Sequence, residues 1–490
     1  MADKFKILGG GEKALVSKYA YQEEYLRETI KLSETTFRDI TKEFFSPITC
    51  TYKPSLHTES EYRGIAPASL PAWGTILTYK LPYENGAILS DLVLHLTFEA
   101  VGDENPTLTG GVRELLDRYR YTDFPGIRCI EYVDFVVDGV PFERVYNDRW
   151  LQYRATELSE SERVGFDRAC GQEQLLDADL FNTDYHFMEK RKITFGAQTE
   201  RYYQDRVVMV LPMKLSFTEN DTAIPCDVFR GGAELRIKLV SPGQKLLARV
   251  SPTVGVTYQD PSIGTAMLYA NYIHMEPDVY DKLITTNPFM MIKQHKCVRK
   301  EINKPTATIP LTDLRSPMDH LYFGFLPLDQ KDHFDYWWQL SNMTTVPIVY
   351  PKLVISTLTP AVTYSVDPTQ TLIVRQSNPM VNKIGFNITG VQRPIYPKLP
   401  PKFYESYLPS LKNSMYPDGH GWMMMGMPKL TTSANTIEGM YYFDSDRALE
   451  LEYESSTITV DTPAELIIIA RVINFIVLDT RRGAYALYSV

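Results

Sequence analysis

The chain has 490 residues, too many for one ordinary domain, and at 44% hydrophobic and 23% charged it has the composition of a globular protein with a large core. A formal net charge of −9 argues against the basic stripes with which proteins wrap nucleic acid. Tyrosine and proline, 32 of each, favour short strands joined by turns over long helices.

In chain order, MADKFKILGGGEK lacks the apolar core of a signal peptide, so the expectation is a protein made and kept in the cytosol. Gly9-Gly10-Gly11 with Lys13 lacks the spacing of a phosphate loop and reads as a flexible arm. Leu26, Ile30, Phe37, Ile40 and Phe44 keep rough helical spacing, which makes 1–45 an N-terminal arm or helix. In Asp91 to Phe98, Leu92, Leu94, Leu96 and Phe98 share one face of a strand, while Asp91, His95 and Thr97 take the other. Val112 to Arg120 reads as a short helix. CIEYVDFVVDGVPFERV reads as a hairpin with Asp138-Gly139 at its tip, where both residues need positive φ. Val207 to Leu211 is a continuous apolar run, as in a strand buried on both faces. Ala233, Leu235, Ile237 and Leu239 alternate with Glu234, Arg236 and Lys238.

Pro277 to Ile284 is a second short helix candidate, within a polar connector. Leu449, Leu451 and Tyr453 alternate with glutamates, and Leu466 to Ile469 is again apolar throughout. The longest apolar stretch, Ala464 to Leu478, carries Glu465, Arg471 and Asn474, so no run reaches the roughly 18 residues of a membrane span. The domain reading is an arm over 1–45, strand-rich blocks over 46–276 and 294–490, and a linker over 277–293. Each block is long enough for one eight-stranded sandwich with long loops, so the fold class is all-β.

Catalytic chemistry is thin. Cys50, Cys129, Cys170, Cys226 and Cys297 are scattered with no CxxC pair, as free thiols. His57, His95, His186, His274, His295, His320, His333 and His420 lie too far apart for a chelating pair, and Asp444 and Asp446 read as ordinary acidic surface. No serine elbow or zinc-protease motif occurs. The reading therefore names no catalytic, cofactor-binding or metal residue. Asn220, Asn342 and Asn387 stand in sequons that a cytosolic chain leaves unmodified. Tyr336, Trp337 and Trp338 read as packing at a core or subunit interface rather than a stacking platform. GHGWMMMGMPK (419–429) places histidine and methionine sulfur together, a set that suits a soft metal. On a strand, Met423, Met425 and Met427 share one face, with Trp422 and Met424 on the other. The outer pair is then about 13 Å apart, too far to converge on one ion. A buried strand is the reading.

Extended to GHGWMMMGMPKLTTSANTIEGMYYFDSDRALELEY (419–453), this stretch resembles a signature near the C-terminus of major capsid proteins of nucleocytoplasmic large DNA viruses. Trp422 to Met427 resembles its strand and Lys429 to Gly439 its loop, with Phe443, Asp444, Asp446 and Leu449 in the following positions. Other segments agree in order: GGEKALVSKYAYQEEYL with TTFRDI and FFSPITCTY, then SLPAWGTILTYKLPYENGAILSDLVLHLTF, then the Asp138-Gly139 hairpin with Trp150 after it. VVMVLPMKLSFTENDTAIPCDVFRGGAELRIKL and MLYANYIHMEPDVYDKL continue the match, which covers about residues 10 to 490. The final segment departs from the family, because FIVLDTRRGAYALYSV keeps only Gly483 where the family is glycine-rich.

The resemblance implies two consecutive eight-stranded jelly-roll β-sandwiches (a double jelly roll) with long loops and a few short helices. It also implies a homotrimeric, pseudo-hexameric capsomer that tiles an icosahedral shell around double-stranded DNA. Expected partners are further copies of the chain, minor capsid and penton proteins, and an internal membrane reached by the N-terminal arm, with no direct nucleic-acid contact. Expected localisation is the virion, after assembly in the host cytoplasm. Gly102 to Arg128 and Tyr153 to Asp184 are the loops expected to form the crown or trimer contacts. A transient scaffold of virion assembly is the alternative, and a jelly-roll lectin or enzyme is the other class.

Overall fold

The structure, a computed structural model, describes residues 58–488 apart from internal segments, of which the longest are 173–202, 250–260 and 427–447. The arm read over 1–45 lies outside the described residues.

Alternating sequences become strands whose inward side chains are fully buried. The first set is β1 (Thr58–Ile65), β2 (Ile76–Leu81), β3 (Ala87–Phe98), β4 (Ile130–Val137), β5 (Val140–Tyr146), β6 (Val207–Pro212), β7 (Ala233–Leu239) and β8 (Ile263–Met275). They form two antiparallel sheets, ordered β1-β8-β3-β6 and β2-β7-β4-β5. A short strand, Ile224–Pro225, also pairs with β3. On β3, Leu92, Leu94, Leu96 and Phe98 are buried in the space between the sheets. On β7 the burial alternates along the whole strand. The β4–β5 hairpin turns at Asp138 (φ 51°) and Gly139 (φ 78°), the left-handed pair that a tight hairpin demands.

The second set repeats this order. It is β9 (Phe289–Ile302), β10 (Thr306–Pro310), β11 (Met318–Pro327), β12 (Lys383–Ile388), β13 (Tyr396–Leu399), β14 (Met423–Gly426), β15 (Leu449–Glu454) and β16 (Ala464–Val477). Its sheets run β9-β16-β11-β14 and β10-β15-β12-β13. Each strand thus takes the place of the strand eight positions earlier, so the two halves share one topology without a visible sequence repeat. Two four-stranded antiparallel sheets in this order, face to face, are a jelly roll. The start of β9 at Phe289 falls within the segment read as linker, which opens with one helical turn closed by Tyr280 N–H donating to Glu276 O (3.0 Å).

Three expectations need correction. Val207 to Leu211 is not buried on both faces: Met209 and Leu211 point inward, while Val208 and Val210 are 52% and 47% exposed. The reason is that, among the described residues, none covers the outer face of the sheet at these positions. Val112 to Arg120 is strand at Val112–Arg113 and Tyr119–Tyr121, because both ends pair with neighbouring chain. Tyr153 to Asp184, read as a long loop, is helical over part of its described residues, and 173–184 lie outside them. It holds the end of α1 (Asp148–Thr156) and all of α2 (Glu160–Ala169). Ser159 caps α2 with a full capping box to Glu162, and α1 is buried along most of its length.

Leu466 to Ile469 is buried on both faces, with no residue above 1% exposure. Leu466 and Ile468 enter the second sandwich's core, whereas Ile467 and Ile469 join the core cluster of the first. The strand Met423–Gly426 divides the same way: Met423 and Met425 face their own sandwich, and Trp422 and Met424 face the first. The sheet β9-β16-β11-β14 is therefore a wall shared by two cores.

Candidate functional site

Among the described residues, no group of three or more histidine, cysteine, aspartate or glutamate side chains could hold a metal ion. His95, His274, His320 and His420 are half-buried or nearly so and lie apart from one another. His57, His186 and His333 lie outside the described residues, as does the signature segment 427–447. Cys129, Cys170 and Cys226 are buried thiols and Cys297 is half-buried; Cys50 is not described. Burial pushes the Cys297 thiol up to about 12, with Asp148 adding to the rise, so it is no nucleophile at neutral pH. Functional surfaces must be sought on the faces of the sheets.

The best-defined surface is the seam between the sandwiches. Its apolar part comes from the outer face of β9-β16-β11-β14: Tyr322, Met424, Ile467 and Ile469, each at most 2% exposed. Trp337 and Trp338 cap one end. The Trp337 indole N–H donates to Asp123 O (2.9 Å), and that of Trp338 to an Asp123 carboxylate oxygen (3.3 Å). Phe124 meets Trp338 edge-on, with ring centres 5.2 Å apart. Arg128 lies over the Trp337 ring and Arg154 over Trp338. The aromatic clump in the sequence is thus packing between the two halves of one chain.

The polar part of the seam is a set of closely paired charges. Arg299 of β9 donates through Nε to Asp148 Oδ2 (2.8 Å) and through a terminal nitrogen to Asn147 Oδ1 (3.0 Å). Burial pushes the Asp148 carboxyl up, and Arg299 draws it part of the way back. Arg149, buried on α1, donates to Glu157 (2.6 Å). Burial works against the Glu157 carboxylate, but Arg149 outweighs it and holds the group down to about 2. His295 is buried beside this pair. Burial, reinforced by Arg149, holds its imidazole well below the usual range, so it is neutral at pH 7. Arg471 makes a two-pronged contact with Asp319 (2.7 and 2.6 Å), the geometry that suits a guanidinium and a carboxylate. Burial would raise Asp319, yet His320 and Arg471 hold it well below the ordinary carboxylate range.

Arg471 and Asn474 stood out in the sequence only as interruptions of an apolar run. They now have partners, Asn474 bonding Gln294 (3.2 Å), which in turn donates to Phe142 O (3.2 Å) of the first sandwich. Asp148 and Arg299 gave no sequence signal, because a salt bridge between residues 151 positions apart has no local pattern.

The other two sheets carry charge on their outer faces. Arg144 grips Asp134 with both prongs (2.6 and 2.7 Å), and Arg236 bonds Glu234 on β7. On β15 and its neighbours, Lys398 pairs with Glu454 (3.0 Å) and Asn387 donates to Glu452 (2.6 Å). These faces are suited to water and to reversible polar contacts.

Two complete jelly rolls in tandem, joined by a buried seam, define the fold class, a double jelly roll. The chain is more particularly similar to major capsid proteins of large DNA viruses. It is 22% identical over 328 residues to the hexon protein p72 of African swine fever virus (isolate Tick/Malawi/Lil 20-1/1983), covering 58% of this chain. A major capsid protein from another isolate of that virus, Pig/Kenya/KEN-50/1950, matches to the same extent. The chain spans about half the length of these curated relatives, 50% in each case. Its fold matches the Faustovirus major capsid protein with a TM-score of 0.71 at 18% identity, over 98% of this chain and 100% of that one. A chain of the PBCV-1 virus capsid superposes with a TM-score of 0.63 at 12% identity, covering 90% of this chain and 99% of that one. No family model matches the sequence.

Proposed function

We propose that this chain is a structural major capsid protein of a large DNA virus and has no catalytic role. One observation carries the reading. Both jelly rolls repeat one strand order and share a wall, so the chain is a rigid two-block tile. Three such tiles give six similar blocks around an axis, a pseudo-hexamer able to neighbour six others. The double jelly-roll fold and the relatives' names support this reading. In it, the chain forms homotrimeric capsomers that tile an icosahedral shell around double-stranded DNA, within a virion assembled in the host cytoplasm. Its partners are other copies, minor capsid and penton proteins, and an internal membrane engaged by the arm over 1–45. The first jelly roll lies within 46–276 and the second follows the connector after Glu276.

The test is electron microscopy of purified virions and of the purified chain, with mass determination of the soluble form. The expected result is a trimer of 56.2 kDa chains, and density for it throughout the shell of mature particles. Trimers found only in immature particles would make it a scaffold instead. A monomer that turns over a small molecule would defeat the reading.

A further inference from the structure

The seam encloses a titratable ring. His295 of β9 is 4% exposed. It shares a face of that strand with Cys297, which packs against the first core, and with Arg299, which binds Asp148 of α1. The register sets His295 directly across from Arg471 of β16, and Arg471 directly across from His320 of β11. A guanidinium can only donate, so the 2.6 Å contact of Arg471 with His320 Nδ1 makes that ring nitrogen the acceptor. Three adjacent strands thus carry a row of imidazole, guanidinium and imidazole, whose middle member is already a cation.

Charges from both halves surround His295. From the first sandwich come Arg149 of α1 and Glu157 just beyond it; from the second come Arg471, Asp319, His320 and Tyr322. Lys293 and Cys297 flank it on β9, and Lys293 also faces Arg471 and Asp319. The two carboxylates oppose a gain of positive charge here, but each is already held by its own arginine. Arg149 donates to Glu157 (2.6 Å), and Arg471 grips Asp319 with both prongs. Burial, reinforced by Arg149, keeps the His295 imidazole well below its usual range. A solvated histidine takes up its proton near pH 6.5, at about the ordinary imidazole value. The neutral ring therefore stabilises the joined state fully above about pH 6.5, and that contribution is lost as pH falls toward the folded value.

We propose that His295 is an acid-operated release for the seam, where a proton sets a third cation beside Arg149 and Arg471 and drives the two sandwiches apart. Little water reaches these groups, so the repulsion is weakly screened. Repulsion between His295 and Arg149 acts across the seam, because each belongs to a different half. Release uncovers Tyr322, Met424, Ile467 and Ile469, each at most 2% exposed in the joined state. The inner faces of both sandwiches stay packed. The release acts within one chain, so it stands whether or not copies of that chain build a shell.

Hydrogen-exchange mass spectrometry of the full chain at pH 7 and pH 5, corrected for the intrinsic exchange rate, tests it. The reporters are α1 and residues 123–128 at the seam, and β7 and β15 on the far sheets. In the wild type, protection at the seam should fall by up to about 25-fold over that interval, the ratio set by one proton bound near pH 6.5 only after release. Protection in β7 and β15 should stay unchanged. His295→Gln should lose the response at the seam; where that variant fails to fold by far-UV circular dichroism at pH 7, His295→Leu takes its place. His274→Gln, on β8 beside Glu61, should keep the response. Wild-type seam protection that is the same at both pH values overturns the release, whatever the variants do. A loss shared equally by β7 and β15 reports unfolding of the whole chain and overturns it as well. A folded His295 variant that responds like the wild type overturns the assignment to this residue.

Discussion

Replacing Arg299 by alanine strips the seam of its best-defined ion pair across the two sandwiches. The Asp148 side chain is only 10% exposed and that of Arg299 31%, so the carboxylate loses its counter-charge with little water to take over. Removing one partner of a buried pair costs about 3–5 kcal/mol, mostly the penalty of the charge left behind. Solvent reaches this pair from the arginine side, which places the expected loss near the lower figure, at about 3 kcal/mol. Asp148→Asn leaves no buried charge and should cost only about 1.5 kcal/mol, the worth of a hydrogen bond to a charged group. Combining the two should cost little more than Asp148→Asn alone, a coupling of about 2–3 kcal/mol in a double-mutant cycle. Urea denaturation of the four proteins, followed by tryptophan fluorescence, measures it. A pH series adds a second check. In Arg299→Ala, burial holds the Asp148 pKa above its unfolded value of about 3.9, and Arg299 no longer draws it back. The folded state then takes up the proton more readily than the unfolded one as pH falls through the raised pKa. The deficit relative to wild type should therefore shrink between pH 7 and about pH 4. A loss below about 0.5 kcal/mol, typical of an exposed pair, or a deficit that ignores pH, would refute the claim that this pair is buried and couples the halves.

Trp337→Ala should cost about 3–5 kcal/mol and speed amide exchange around Asp123 to Arg128, the backbone its indole holds; hydrogen-exchange mass spectrometry reads both sides of the seam. Met425→Ala, within the second core, should lower stability by about 2–4 kcal/mol in the same urea assay, as for any buried methionine. Gly139→Ala forces a β-carbon into the left-handed region at φ 78° and should cost about 1–2 kcal/mol, seen as a fall in Tm, although open space surrounds the site. Asp319 has a folded pKa below its unfolded one, so its contribution is complete above about pH 4 and is lost as pH falls toward the folded value. Asp319→Asn should be less stable than wild type at pH 7, and the gap should close in acid.

Period-two alternation made β3, β7 and β15 legible in the sequence, and a left-handed Asp-Gly pair made the hairpin legible. A sheet with one wet face writes its inside and outside into every second residue. Strand Val207–Pro212 was misread because an apolar run signals cover on both sides without saying who supplies it. In Leu466 to Ile469 the cover comes from the other half of the chain; at Val208 and Val210 none of the described residues supplies it. The helices α1 and α2 were missed, although Ser159 and Glu162 form a capping box that could have been seen in SESE. The seam's charges were illegible for a different reason. Asp148 and Arg299 meet only because α1 of the first half lies against a sheet of the second, and no local spacing encodes that meeting.

Strand Ala464–Val477 sends alternate side chains into different hydrophobic interiors, so neither half can loosen without disturbing its neighbour. Such a joint transmits load instead of bending. An isolated first half would expose a broad greasy surface and should collect in inclusion bodies. In any array built from these units the subunit behaves as a stiff plate, and curvature has to be taken up at the borders between plates.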